Sequence, residues 1–223
     1  MIYVVLSLGK SGSSLLASIL HHNGIRAFED SSIGADTCGR YEDEKVCEVN
    51  RDYFYPHHQS LNMHYPVVAE ASIGLQNRMR TVIRNGAAMY SDYCIKDPRM
   101  SYTYHLWEPL LPEHKLIIQF RHPCEVIQHY YRSKEQPLVP KNIADRYIHV
   151  YLKAIEHSKH RESLFISYES LRNPNTDKLS KFVGKEIVNK YISTRRYTCR
   201  DRERFARDDI IALYNRLKEL ESV

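Results

Sequence analysis

No pair of cysteines in this 223-residue chain is spaced as CxxC, and the five present (Cys38, Cys47, Cys94, Cys124 and Cys199) are scattered and odd in number. That pattern argues against a disulfide framework or a zinc cluster and fits a reducing cytoplasm. The first apolar run has neither a basic leader nor a small-residue cleavage site, so no secretory signal is expected. Nothing approaches the length of a membrane-spanning helix. Repeats, low-complexity tracts and linkers are missing too. With 43% hydrophobic and 26% charged residues, the chain reads as one globular domain able to bury a full core. The net charge of +5 is modest and concentrated in the last third, where Lys178, Lys181, Lys185, Lys190, Arg195, Arg196, Arg200, Arg202, Arg204 and Arg207 lie. Most of these residues are read as solvated helix surface, with a polyanion site as the other reading for a few, and without an aromatic–basic module beside them no nucleic-acid partner is expected.

What is present alternates between two periods. Strand-like runs occupy residues 2–8, 25–28, 93–96, 115–120 and 164–168. Helical patterns occupy residues 13–22, 43–52, 75–89, 102–110, 125–134, 143–159, 176–183 and 208–220. This alternation predicts a single α/β domain spanning residues 1–223, with a mostly parallel central sheet flanked by helices. Ligands in such sheets bind beyond the carboxyl ends of the strands, and polar turns follow Leu8, Ile95 and Phe120. The tyrosine- and histidine-crowded stretch 53–66 fits neither period and reads as a loop packing its rings, with an acceptor-binding wall as the other reading. His57, His58 and His64 lack a ligand register, so no metal site is assigned.

The first turn, within "SLGKSGSSLL", joins a buried strand to a helix and aims several backbone N–H groups one way, with Lys10 adding a positive charge. It is an anion cradle by construction. A Walker A loop would need a glycine at the position held by Val4, so a nucleotide or small-molecule kinase is the lesser reading. At the end of the 115–120 strand, Arg121 precedes a helix opened by Pro123, where a guanidinium can grip a phosphate bidentately. Lys96 ends another strand, its direction set by the Asp97-Pro98 turn.

These segments carry a resemblance. "LGKSGSSLLASILHHNGI" resembles the 5′-phosphosulfate loop of the sulfotransferases that use 3′-phosphoadenosine 5′-phosphosulfate (PAPS), read as G-x-R/K-S-G-S/T-S/T-L-L. "GRYEDEKVCEVN", "IKDPRMSYTYHLWEPLLP", "KLIIQFRHPCEVIQHYYRSK" and "LFISYESLRNPNTDKLSKFVG" are similar to further blocks of the family's bacterial-type branch, in family order. The resemblance implies a P-loop-NTPase-like sulfotransferase architecture and transfer of a sulfuryl group from PAPS to an acceptor hydroxyl, without a metal. It implies that Lys10, Ser11, Gly12, Ser13 and Ser14 hold the 5′-phosphosulfate and that Arg121 holds the 3′-phosphate. Tyr168 lies in the block that follows the last strand and is counted with the cofactor-binding residues. Lys96 is implied beside the sulfuryl group, and Glu42, or else Glu29, as general base.

The chain departs from the family at His129, where many members have a 3′-phosphate serine, with Ser133 one turn on. It also lacks the C-terminal R-K-G loop, for which Arg195, Arg196 or Arg200 are the open substitutes. The acceptor is expected to be a small molecule or a glycan, and the oligomeric state is left open. A catalytically silent nucleotide-binding homologue is the other alternative, against which the retention of both Lys10 and Lys96 speaks.

Overall fold

The computed structural model describes residues 1–27, 41–57, 70–132, 140–173, 176–189 and 205–223. Strand β1 (Ile2–Leu6) is buried along its whole length, as the unbroken apolar run IYVVL requires of a strand covered on both faces. It pairs in parallel with β2 (Tyr93–Lys96) on one side and β3 (His114–Phe120) on the other, and β4 (Ser163–Ser167) extends the sheet beyond β3. The order β2-β1-β3-β4 is all parallel. Val4 stands opposite both Ile95 and Leu116.

Three of the expected strand ends move, and the first strand, expected to reach Leu8, stops at Leu6, where the chain leaves the sheet for the turn. The strand expected at 25–28 is reduced to a parallel bridge from Arg26 to Tyr93, with Phe28 outside the described residues. The strand expected to reach Tyr168 stops at Ser167, because the Ser167 hydroxyl accepts the Ser170 N–H and starts a short helix there.

Helices cover both faces. Alternation along β1 sends Tyr3 and Val5 to one core and Val4 and Leu6 to the other. The first core is closed by α1 (Ser13–His22) and, after further helices named below, by α7 (Tyr168–Leu171) and α8 (Asp177–Val183). The second is closed by α2 (Glu44–His57), α3 (Ile73–Met89), α4 (Met100–Trp107), α5 (Pro123–Arg132), α6 (Pro140–Ser158) and α9 (Asp208–Ser222). This is the single α/β domain that the periodicities predict, with helices on both sides of one parallel sheet. Helix α2 runs five residues further than the 43–52 pattern into the stretch first read as loop, because Tyr53 and Phe54 are buried in the core. Residues 58–66 of that stretch lie outside the described residues.

From β1 the chain goes out to Arg26 and β2 on one side, then crosses to β3 and β4 on the other. The carboxyl ends of β1 and β3 therefore flank the topological switch point, where an open parallel sheet has its crevice. Among the described residues, no helix is long and apolar enough to cross a membrane.

Candidate functional site

The turn between β1 and α1 is pinned from three sides. Ser7 N–H donates to Ser101 Oγ at 2.7 Å, and the Ser101 hydroxyl donates back to Ser7 O at 2.9 Å. Leu8 N–H meets the Tyr151 hydroxyl at 3.4 Å, which itself donates to Gln119 O. Gln119 Nε2 donates to Ser11 O at 2.6 Å, and Ser11 Oγ lies 2.8 Å from Gln119 Oε1 and against Leu8 O. The Ser11 side chain is thus turned inward and spent on holding the turn, while its neighbours face out.

Those neighbours form the cradle. Lys10 sits in the left-handed region at φ 65°, a conformation that costs a lysine about 1 kcal/mol, and Gly12 follows at φ 102°. Two tyrosines press on the turn: a Cβ on Gly9 would collide with the Tyr130 hydroxyl, and one on Gly12 with the Tyr168 ring. Among the described residues, no protein acceptor takes the N–H groups of Gly9, Lys10, Gly12, Ser13 or Ser14. The last two open α1 and carry the positive end of its dipole. The Lys10 side chain is exposed and makes no ion pair among the described residues. Strained backbone, donors and a cation that meet no partner among the described residues coincide here, beside the switch point.

One flank of the cradle is aromatic and basic. Arg121, buried at the end of β3, stacks its guanidinium 4.3 Å from the Tyr168 ring centre. Its Nε donates to Glu125 Oε2 at 2.8 Å, which fixes the plane of the fork. Arg172 approaches the same ring at 5.8 Å. His129 stands nearby; burial first, then the charges of Lys10 and Arg121, hold its imidazole below the ordinary range.

The other flank lies at the end of β2. Lys96 Nζ donates to Glu42 Oε1 at 2.6 Å and to Ser14 Oγ at 3.2 Å. The lysine side chain is 2% exposed and the glutamate 13%, so the charges are largely shielded from water. Three consecutive residues before α2 take three different anchors. Tyr41, left-handed at φ 50°, reaches back to His22 Nε2 at 3.2 Å. Glu42 meets Lys96, and Asp43 caps α2 through the Lys45 and Val46 N–H groups while accepting the Tyr93 hydroxyl at 2.6 Å. The dipole-complementing role that a carboxylate at this helix start invites belongs to Asp43, and Glu42 is left to face the lysine. Asp97 accepts Nε, Nη2 and the backbone N–H of Arg99, so the charged residues of "KDPR" are paired one by one. Cys47 Sγ lies 3.7 Å from Glu42 Oε2, and burial, reinforced by Asp97 and Glu42, pushes its thiol far above the usual range.

Of the residues singled out from the sequence, the structure gathers Lys10, Gly12, Ser13, Ser14, Arg121, His129 and Tyr168 around the cradle, with Lys96 and Glu42 joined to it through Ser14. Ser11 belongs to the scaffold by its side chain. Glu29, Ser133, Arg195, Arg196 and Arg200 lie outside the described residues. Sequence reasoning missed Gln119, Tyr130, Asp43 and Cys47. Gln119 carried a readable signal, a lone amide in the apolar strand HKLIIQF, since a buried amide must find partners. No group of three metal-ligating side chains occurs among the described residues. No family model matches the chain, and no curated protein matches it.

Proposed function

We propose that the chain is a PAPS-dependent sulfotransferase that moves a sulfuryl group to the hydroxyl of a small molecule or glycan. The observation that carries this reading is the cradle: N–H groups at the start of α1 and a Lys10 side chain that take no partner among the described residues, with Arg121 stacked on Tyr168 at one side. An anionic nucleotide with a second phosphate away from its 5′ end suits two separate cationic positions, Lys10 and Arg121. The P-loop-NTPase-like sulfotransferase architecture implied by the sequence resemblance accords with a parallel sheet whose first strand feeds this turn.

In this reading the acceptor oxygen attacks sulfur in line, the bond from sulfur to the 5′-phosphate oxygen breaks, and adenosine 3′,5′-bisphosphate leaves. The acceptor proton goes to Glu42. Lys10 and the α1 N–H groups neutralise the charge growing on the leaving phosphate, and Lys96 faces the sulfuryl oxygens. Charge-neutralising donors that are already fixed need no reorganisation as the reaction proceeds, which is where their contribution lies.

Calorimetric titration tests the reading. Adenosine 3′,5′-bisphosphate is expected to bind more tightly than adenosine 5′-phosphate, and more tightly than ATP with magnesium. Preference for magnesium–ATP would move the chain to the kinases. Binding of no nucleotide would overturn the reading altogether.

A further inference from the structure

The cradle and the Lys96–Glu42 pair meet at one residue. Ser14 is the second residue of α1, its N–H meets no acceptor among the described residues, and its hydroxyl oxygen accepts from Lys96 Nζ at 3.2 Å. The same ammonium donates to Glu42 Oε1 at 2.6 Å. A cation buried to this degree requires a counter-charge, because the low-dielectric surroundings do not solvate it. Among the described residues, the carboxylate that supplies it is Glu42. An anion seated on the α1 N-terminus and touching Ser14 would lie one hydrogen bond away from the same ammonium.

We propose that Glu42 is an internal competitor for Lys96: the sulfuryl end of the donor takes the ammonium beside Ser14, and the carboxylate it displaces becomes available as proton acceptor. This inference rests on the sulfuryl-transfer reading and adds a control to it, since the base is set free only with the donor in place. The exchange keeps Lys96 paired throughout, so no step leaves a buried charge alone.

Three features of the surroundings permit it. Glu42 is the more exposed partner, at 13% against 2%, so its turning outward costs less desolvation than moving the lysine would. Asp43, not Glu42, holds the start of α2, and the helix stays capped when Glu42 moves. Cys47 faces Glu42 Oε2 from α2 with a thiol that stays protonated, a weak donor that keeps the displaced carboxylate close. Among the described residues, the charges facing this corner are Lys96 at the end of β2 and, behind Cys47, Asp97 bonded to Arg99.

Competition has a distinctive sign. A lysine held by an internal carboxylate binds an outside anion with its affinity reduced by the fraction of time it is released. Removing the carboxylate should tighten donor binding, whereas removing an ordinary contact or a structural support would weaken it.

The experiment measures equilibrium binding of PAPS and of adenosine 3′,5′-bisphosphate, without acceptor, to the wild-type chain, Glu42→Gln, Lys96→Met and the double variant. Glu42→Gln is expected to tighten PAPS binding about tenfold. Bisphosphate, which lacks the sulfuryl group, should change by less than about twofold, and the gain for PAPS should vanish when Lys96→Met is already present. Should Glu42→Gln fail to fold, Glu42→Asp keeps the charge but reaches one methylene less, and a gain of about two- to threefold is expected from it. Binding of both nucleotides with PAPS affinity unchanged or weakened in the glutamate variants would overturn the competition and leave the sulfotransferase reading intact. Binding of neither nucleotide by the wild-type chain would overturn both.

Discussion

Two lysines stand at the carboxyl edge of the same sheet under opposite physical regimes. Lys10, after β1, is exposed, unpaired among the described residues, and held in a left-handed backbone conformation. Lys96, at the end of β2, is buried, extended in its strand, and bonded to Glu42 and Ser14. The first contributes nothing visible to the packing of the fold and is kept at a cost in backbone strain. The second is part of the fold's polar interior. A charge that stability does not use points to a ligand, while a charge locked to a partner has to be released before it can meet one. The difference predicts that stability and binding separate at Lys10 and travel together at Lys96.

The largest expected effect is at the paired lysine. Lys96→Met leaves the Glu42 carboxylate facing an apolar chain and should lower stability by about 3 kcal/mol in a urea titration. A loss below about 0.5 kcal/mol would show the pair to be as weak as a surface salt bridge and erase the contrast. Next comes Arg121→Ala. It should weaken adenosine 3′,5′-bisphosphate by about 2 kcal/mol while hardly affecting adenosine 5′-phosphate, measured by calorimetry. Equal losses for both nucleotides would mean that Arg121, tied to Glu125, is purely structural.

Lys10→Gly sharpens the contrast most directly. Glycine adopts φ 65° without strain, so the variant should be as stable as the wild type or up to about 1 kcal/mol more so, yet lose nucleotide affinity. Joint loss of stability and binding would place Lys10 in the same class as Lys96. Smaller still, Ser11→Ala should cost about 1 kcal/mol in thermal unfolding, by removing the hydroxyl beside Gln119, with the effect on nucleotide affinity secondary to that.

The smallest effect is electrostatic. His129 is held below the usual imidazole range by burial, then by Lys10 and Arg121. Removing the Lys10 charge should raise its titration midpoint, followed by NMR of the ring protons. The folded form resists protonation, so this group favours folding less as pH falls through the unfolded imidazole value, about 6.5, and the acid loss should be milder in Lys10→Gly. An unmoved midpoint would mean that burial alone sets the shift.

Much of the frame was legible from local pattern. An apolar run that opens IYVVL reads as a central strand, and β1 is one, though it ends at Leu6 and not at Leu8. The glycines of the first turn announced close approaches, though not that the approaching groups would be Tyr130 and Tyr168. The strand end at Ser167 was misplaced by one residue because a serine that caps the following helix looks the same as one that finishes a strand. In the site, Lys10 and Arg121 could be named from position alone, but Ser11 and Ser14 could not be told apart. Both are serines of one turn; one faces Gln119 across the sheet and the other faces Lys96.

Local pattern is enough for the periodicities, the four paired strands, most of the helices and the glycine-rich turn after β1, because hydrophobic spacing and backbone freedom act over neighbouring residues. Which charges meet is set by the packing of distant segments. Glu42 and Lys96 are 54 positions apart, and Ser11 and Gln119 are 108 apart. Such pairings depend on which strand lies beside which and on the direction each turn leaves the sheet. A buried charge takes whatever counter-charge the packing brings within reach, and nothing in the local sequence around either residue specifies that choice.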